Sequence, residues 1–123
     1  MYGKWFEKSL SSNDIGKTGS HQAAVVISKS DYFGSDFFPK LATDMENPSV
    51  QVTFNRRDFG TPILARIVYY NNKSRGGSRD EIRITGLGDY FRQMSPNVGD
   101  FLRVEIDSTG AYFIGIRRNF GIN

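Results

Sequence analysis

Residues 63–85 read ILARIVYYNNKSRGGSRDEIRIT and place two strand-like runs on either side of a long polar stretch. The first eight residues are mostly apolar, β-branched or aromatic, which is typical of a strand. The last five, Glu81 to Thr85, alternate polar and apolar residues, and Gly86 ends the run. The polar stretch exceeds the two to five residues that a hairpin needs. Residues 63–85 therefore predict two β-strands joined by a projecting polar segment.

The rest of the chain repeats this pattern of short apolar runs between turn residues. We expect further strands at residues 5–10, 23–27, 50–54, 101–106 and 112–116, the last two flanking a hairpin turn at 107–110. Ser30 and Asp31 predict a helix cap, with the helix running to about Phe38 and ended by Pro39. Residues 89–93 predict another helical turn or two. Six or seven short strands with one or two brief helices indicate a mainly β, closed or nearly closed barrel.

Composition limits the function classes. The 123 residues suit one domain, and a hydrophobic fraction of 38% is ample for a packed core. The absence of cysteine excludes disulfides and cysteine-ligated zinc, and a lone histidine, His21, excludes a multi-histidine metal site within one chain. No run approaches the roughly 18 apolar residues of a membrane span. We therefore expect a cytoplasmic protein with no metal, no cofactor and no membrane partner.

Motifs for catalysis are incomplete. Gly16-Lys17-Thr18 resembles the end of a phosphate-binding loop, but Ser11 stands where that motif needs glycine, and a strand follows where it needs a helix. Glu81-Ile82-Arg83 has arginine where metal-dependent nucleases of one large class have lysine. We therefore expect no catalytic residues.

The sequence leaves two functions with a ligand or metal site open at this point. One is a metal-dependent nuclease subunit with carboxylates assembled from Asp14, Glu81 and Glu105. The other is a binder of single-stranded nucleic acid or oligosaccharide that stacks its ligand on Tyr69, Tyr70 and Tyr112. Because these tyrosines alternate with Val and Ile, we expect core packing rather than stacking for at least one of Tyr69 and Tyr70.

Two polar, glycine-containing segments adjoin strands, at residues 11–22 and 71–83. They carry the Asn, Gln, Arg, Asp, Glu and His side chains that can make directed hydrogen bonds to base edges in the major groove. In an extended chain Arg79, Glu81 and Arg83 point the same way and form a donor–acceptor–donor row. The net charge of +3 and the cluster of basic residues between 73 and 83 fit a polyanionic partner. An exposed strand whose opposite charges merely pair with each other is the competing interpretation.

Both segments resemble the two arms of the N-terminal recognition domain of EcoRII-type restriction endonucleases. Residues 10–22 are similar to the family pattern Leu-Ser-x-Asn-Asp-x-Gly-x-Thr-Gly-Gly-His-Gln, with Ser20 in place of the second paired glycine. Residues 77–85 are similar to the family run Lys-Thr-Arg-Asn-Glu-Lys-Arg-Ile-Thr, with Gly77, Asp80 and Ile82 as departures. Residues 47–50 also fit between the arms, so the resemblance covers most of residues 9–88. We call residues 11–22 the first arm and residues 71–83 the second arm.

The resemblance implies a DNA-binding pseudobarrel, an open seven-stranded barrel like that of plant B-three transcription factor domains. Its arms grip the major groove of double-stranded DNA at a CCWGG-like site. The implied base readers are Arg79, Glu81, Arg83, His21, Lys17 and Asn13. The residues expected to support binding are Asp14, Thr18, Ser20, Gln22, Ser78, Asp80, Lys73, Arg75 and Arg66, and Lys4, Lys8 and Arg92 are further candidates for phosphate contacts.

The resemblance also implies a division of labour. In such enzymes the recognition domain is joined to a separate nuclease domain, in the same or a larger chain. Residues 1–123 are therefore expected to form a single recognition domain without a nuclease centre. Gly77 and Asp80 remove positive charge beside the readers, which predicts a different target sequence or affinity.

Overall fold

The computed structural model describes residues 4–16 and 24–120, which form one seven-stranded sheet with short helices. The strands are β1 (Lys4–Ser9), β2 (Ala24–Ile27), β3 (Ser49–Arg56), β4 (Ile63–Tyr70), β5 (Glu81–Thr85), β6 (Phe101–Ile106) and β7 (Tyr112–Arg117). The α-helices are α1 (Lys29–Phe33) and α2 (Gly88–Met94), and a 3-10 helix spans Asn72–Arg75. The mainly β class with brief helices is confirmed.

The strands follow the spatial order β1-β6-β7-β3-β4-β5-β2. Neighbouring strands run antiparallel except β3 and β7, which pair in parallel from Phe54 opposite Tyr112 to Arg56 opposite Ile114. The sheet curls into a nearly closed barrel, with β1 and β2 as its two end strands. The predicted open seven-stranded barrel is therefore confirmed.

The core is built from the inward-facing residues of the strands, because successive side chains of a strand point to opposite faces. Ile82 and Ile84 of β5 are fully buried, and they pack in one cluster with Phe54 of β3 and Val104 of β6. Each such side chain stabilises the fold by about 1.5–3 kcal/mol when it leaves water. Since Ile82 and Ile84 face inward, the residues between and beside them must face outward.

Helix α1 differs from its predicted bounds at both ends. Its cap is Ser28, whose hydroxyl accepts a hydrogen bond from the Asp31 backbone N–H, and the helix ends at Gly34 rather than near Phe38. After Gly34 the chain turns Phe37 and Phe38 into the core, where Phe38 stacks on Tyr32 with ring centroids 4.7 Å apart. Burial of these rings therefore overrides the longer helix that Pro39 suggested.

The turn after β5 brings the chain close to β4. Gly86 has φ +90, and a Cβ atom there would lie 3.3 Å from both the Leu64 carbonyl oxygen and the Ala65 Cα. Glycine is suited to this position because it adopts positive φ without steric cost. The predicted end of β5 at Gly86 is confirmed.

Candidate nucleic-acid interface

Strand β5 lies between β4 and β2 and carries the polar row predicted from the sequence. Arg83 stands opposite Val68 of β4 on one side and Val26 of β2 on the other. Glu81 and Arg83 share the outward face, since the intervening Ile82 is fully buried. Two polar side chains thus project from a rigid strand, and the second arm leads directly into that strand.

A carboxylate joins the three expected readers of the second arm. Glu81 Oε1 accepts hydrogen bonds from Arg79 Nε at 3.1 Å and from Arg79 Nη2 at 2.7 Å. Glu81 Oε2 accepts a hydrogen bond from Arg83 Nη2 at 3.2 Å. The competing interpretation, in which these charges pair with each other, is therefore correct as a description of the free protein. It does not exclude a role in binding, because pairing also holds both guanidinium groups in place.

The surroundings of this cluster orient it further. The Arg79 guanidinium lies over the Tyr70 ring, 3.7 Å from its centroid, and Tyr70 is the β4 neighbour of Glu81. Arg83 Nε lies 3.2 Å from Glu81 Oε1 in ion-pair contact, yet it is buried and has no hydrogen-bond partner within the described ranges. An unsatisfied buried donor costs free energy. Tyr70 therefore contributes to the cluster, although sequence reasoning gave that residue no such role.

Glu81 stays ionised over a wide pH range. Its partial burial opposes ionisation, but the hydrogen bonds from Arg79 and Arg83 outweigh that effect and lower the pKa of Glu81 below its ordinary value. Arg79 and Arg83 keep 41% and 24% of their side-chain surface exposed. The cluster therefore presents a carboxylate acceptor and two planar cationic donors to solvent.

The second arm is held in shape by side chains that accept backbone hydrogen bonds. Asn72 Oδ1 accepts from the Arg79 backbone N–H at 2.9 Å, and the Asn72 carbonyl accepts from the Gly77 N–H at 2.8 Å. A Cβ atom at Gly77 would lie 2.3 Å from Asn72 Oδ1. A side chain at position 77 would therefore displace the Asn72 side chain that holds the Arg79 amide, which favours glycine at this departure from the family lysine.

The base of the second arm is tied to the loop before β3. Asn71 and Asn47 exchange hydrogen bonds, because each side-chain oxygen accepts from the other residue's backbone N–H, at 2.7 and 3.2 Å. Arg75 Nη2 donates to the Asp44 carbonyl at 3.2 Å. The 3-10 helix that begins at Asn72 gives this arm more internal structure than its glycine-rich sequence suggested.

Asp80 links the second arm to helix α1. Its carboxylate accepts hydrogen bonds from Lys29 Nζ at 2.7 Å and from the Tyr69 hydroxyl at 2.7 Å. The bonds from Lys29 and Tyr69 lower the pKa of Asp80, and Asp80 in turn raises the pKa of both partners. The negative charge that Asp80 adds beside the readers is thus opposed by Lys29, a partner that sequence analysis missed.

The first arm is described only as far as Gly16. Asn13 is exposed there, whereas Asp14 is buried, with 1% of its surface accessible. Asp14 accepts hydrogen bonds within the protein, so its support for binding cannot be a direct contact. The other expected residues of this arm lie outside the described residues: Lys17, Thr18, Ser20, His21 and Gln22.

The candidate phosphate contacts fall into two groups. Arg66, Lys73 and Arg75 are exposed, the last two on the second arm and Arg66 on β4 opposite Thr85 of β5. Ser78, a supporting residue of the same arm, is exposed as well. Lys8 pairs with the buried Asp14 at 2.9 Å, Arg92 pairs with Asp89, and Lys4 lies at the end of β1 far from the first arm. Lys8 therefore also has a structural role, as the counter-charge of a buried carboxylate.

The carboxylates proposed for a nuclease centre do not converge. Asp14 is buried against Lys8, and Glu81 lies on β5. Glu105 lies on β6, separated from β5 by three strands in the sheet order, and binds Arg57 and Arg103 instead. No group of three or more His, Cys, Asp or Glu residues suited to a metal ion occurs within residues 4–16 and 24–120.

The three tyrosines proposed as stacking platforms are already in use. Tyr70 is covered by Arg79, and Tyr69 packs edge-on against Phe33 at 5.6 Å between ring centroids. Tyr112 packs against Phe37 and donates its hydroxyl hydrogen to the Phe37 carbonyl. Tyr69 also contacts the core, as predicted for one of the two adjacent tyrosines.

Among the described helices, none has the length and apolar character that a bilayer crossing requires.

Comparison with known protein families assigns the chain to one of them. The family model described as "Restriction endonuclease EcoRII, N-terminal" matches residues 2–111. The chain belongs to the EcoRII N-terminal domain family. The resemblance noted from the two arms is therefore confirmed, and it extends beyond residues 9–88, over most of the barrel.

This EcoRII N-terminal family member is similar in sequence to one curated protein and in fold to two solved structures. The chain is 39% identical over 80 residues to the type II restriction enzyme EcoRII of Escherichia coli. The aligned stretch covers 63% of this chain and 19% of that enzyme's length. Its fold is similar to that in an Arabidopsis FUS3–DNA complex, with TM-score 0.72, 17% identity, and coverage of 94% of this chain and 98% of the other. A hypothetical Arabidopsis thaliana protein matches with TM-score 0.55, 14% identity, and coverage of 97% and 95%.

Proposed function

We propose that residues 1–123 form a single sequence-specific recognition domain for double-stranded DNA, of the kind used by type II restriction endonucleases. The observation that carries the proposal is the Arg79–Glu81–Arg83 cluster at the end of the second arm, with Glu81 and Arg83 on the outward face of β5. Family membership supports it, as does the type II restriction enzyme among the relatives. The FUS3 structure adds that this fold occurs in a complex with DNA.

The cluster has the chemistry for reading guanine–cytosine pairs. A guanidinium can donate two hydrogen bonds to the O6 and N7 atoms of guanine, and a carboxylate can accept from the amino group of cytosine. Arg79, Glu81 and Arg83 together offer two such donors around one acceptor. A short site with guanine and cytosine at its ends, of the CCWGG kind, is the proposed target.

Both arms would approach the major groove. Asn13, Lys17 and His21 are the proposed readers of the first arm, supported by Thr18, Ser20 and Gln22, with Asp14 acting from inside the fold. On the second arm the supporting residues are Ser78 and Asp80, and the proposed phosphate contacts are Lys73, Arg75 and Arg66. Phosphate contacts fix the register of a protein on the duplex, while the readers supply sequence preference.

We assign no chemical step to this chain. The cleavage associated with such a domain would belong to a nuclease domain in the same or a larger chain. The domain would act where bacterial duplex DNA is found, in the cytoplasm and at the nucleoid.

Substitutions of proposed base readers and of a proposed phosphate contact test the proposal. The preferred duplex is defined as the one enriched by the protein from a randomised pool, and affinities are measured by fluorescence anisotropy. Arg79→Ala or Arg83→Ala should weaken binding to the preferred duplex by about 1–3 kcal/mol and relax preference at one position. Lys73→Ala should weaken all duplexes alike and lower the salt slope by about one.

Arg103 offers a matched control. It lies over the Trp5 ring at 4.2 Å and pairs with Glu105 and Glu7, as Arg79 lies over Tyr70 and pairs with Glu81, but on the opposite half of the sheet order. Arg103→Ala should leave both affinities unchanged. If Arg79→Ala and Lys73→Ala affect the preferred and a scrambled duplex equally, the base-reading role is wrong.

A further inference from the structure

Asp14 is a buried carboxylate at the start of the first arm. Its Oδ2 accepts a hydrogen bond from the Ser11 backbone N–H at 3.0 Å, and Lys8 Nζ lies 2.9 Å from the same oxygen. Its Oδ1 accepts a hydrogen bond from the Val26 N–H at 3.3 Å. The Asp14 N–H in turn donates to Ser11 Oγ at 3.1 Å, which closes the turn. Two backbone donors and one ammonium group therefore compensate the burial of this charge.

The partners of Asp14 come from both ends of the sheet. Lys8 belongs to β1 and Val26 to β2, and these are the two end strands of the open barrel. One carboxylate thus bridges the gap that the sheet order leaves unpaired. Val26 is also the cross-strand neighbour of Arg83 on β5. The residue that donates to Asp14 is therefore paired directly with a proposed base reader.

A structural role alone would not require a charge at this position. Buried ion pairs are often matched or exceeded in stability by apolar residues of similar volume, and the best-attested use of such pairs is to fix one arrangement over others. Here the fixed quantity is the placement of the first-arm turn relative to β2 and β5. Because the first arm begins at this turn, we expect its placement to govern the distance between that arm and the readers on β5.

We propose that Asp14 is a positioning residue that sets the separation of the two arms, and hence the preference for one duplex over others, without touching DNA. This inference rests on the proposed function. It predicts that loss of the bridge damages discrimination between duplexes more than it damages attraction to phosphates, because the exposed cations of the second arm are unaffected.

Asp100 provides a control with the same chemistry. It is buried, with 3% of its surface accessible, and accepts from two backbone N–H groups, those of Asn97 at 2.8 Å and Asn119 at 2.9 Å. It pairs with one cation, Arg118, at 3.2 Å. Among the described residues its carboxylate contacts neither arm, so we expect its loss to affect stability alone.

The test compares Asp14→Asn with Asp100→Asn. For each variant and the unchanged protein, the melting temperature is measured together with the Kd for the preferred and for a scrambled duplex. We expect both variants to melt earlier. We expect Asp14→Asn to raise the Kd for the preferred duplex about tenfold and to leave the Kd for the scrambled duplex nearly unchanged. The ratio of the scrambled-duplex Kd to the preferred-duplex Kd would then fall about tenfold. Asp100→Asn should leave this ratio unchanged.

A milder variant keeps the test decisive if Asp14→Asn does not fold. Lys8→Gln retains a hydrogen-bond donor and both backbone bonds to Asp14. It should lower the ratio of the scrambled-duplex Kd to the preferred-duplex Kd by a smaller factor. An unchanged ratio in Asp14→Asn, or in Lys8→Gln where only that variant folds, overturns the positioning role. Absence of any duplex preference in the unchanged protein instead overturns the proposed function on which this role rests.

Discussion

Replacement of Glu81 by glutamine isolates the contribution of the carboxylate at the centre of the reader cluster. Glu81 accepts three hydrogen bonds from Arg79 and Arg83, at 3.1, 2.7 and 3.2 Å. Glutamine has nearly the same shape but carries no charge and keeps a single oxygen acceptor. The two arginines would then lose their common counter-charge while remaining close together.

The expected loss of stability follows from the exposure of the site. Hydrogen bonds to charged groups contribute about 1.5–3 kcal/mol in net terms, whereas exposed ion pairs contribute about 0–1 kcal/mol. Glu81 lies between these cases, with 28% of its side chain exposed. Because glutamine preserves one acceptor, we expect Glu81→Gln to lower the free energy of unfolding by about 1–2 kcal/mol. Replacing the carboxylate acceptor for a cytosine amino group by a neutral amide oxygen should also cost about 1–3 kcal/mol of duplex affinity.

Glu105 separates the two effects. It has 27% of its side chain exposed and accepts from two arginines, Arg57 at 2.6 Å and Arg103 at 3.4 Å, but it lies on β6. Urea unfolding should show similar losses for Glu81→Gln and Glu105→Gln, while anisotropy with the preferred duplex should show weaker binding for Glu81→Gln alone. Equal binding by the two variants would refute the assignment of Glu81 to the interface.

Three further predictions concern the second arm. The carboxyl carbon of Glu81 should titrate in NMR spectra with a pKa below 4.5, so the stabilising contribution of Glu81 is complete above that pH and is lost as the pH falls through the lowered pKa. In the Arg79→Ala, Arg83→Ala double variant the pKa of Glu81 should rise, and an unchanged pKa would contradict the pairing. Asp80→Asn should speed hydrogen exchange of amides in residues 72–79 with little change in melting temperature, because it removes only the ties to Lys29 and Tyr69; unaltered exchange would argue against the link. Gly77→Ala should displace the Asn72 side chain and shift the Arg79 amide resonance strongly, with a loss of about 1 kcal/mol in affinity for the preferred duplex, whereas Gly110→Ala, where no atom lies within 4 Å, should leave that resonance in place.

Most strands could be predicted because their signals are local. The predicted bounds of β4, β5 and β6 agree with the structure, since alternation of apolar residues and a following turn residue define each of them. The end of α1 could not be predicted, because burial of Phe37 and Phe38 depends on contacts with distant parts of the barrel. The 3-10 helix at Asn72–Arg75 was missed because its glycine-rich surroundings read as a loop.

The candidate site divides in the same way. The row of Arg79, Glu81 and Arg83 follows from strand periodicity and could be found in the sequence. The burial of Asp14 could not, because it depends on Lys8 and Val26 meeting across the open side of the barrel. The close approach of Asn72 to Gly77 was equally hidden, since it arises from the folded position of the Asn72 side chain.

Enrichment of duplexes from a randomised pool, followed by sequencing, measures most directly whether the outward face of β5 and its two arms discriminate base pairs. The account predicts one short enriched motif with guanine–cytosine pairs at its ends, and loss of preference at those pairs in the Arg79→Ala, Arg83→Ala double variant. A correctly folded protein that enriches no motif, or a double variant that enriches the same motif equally well, would contradict it.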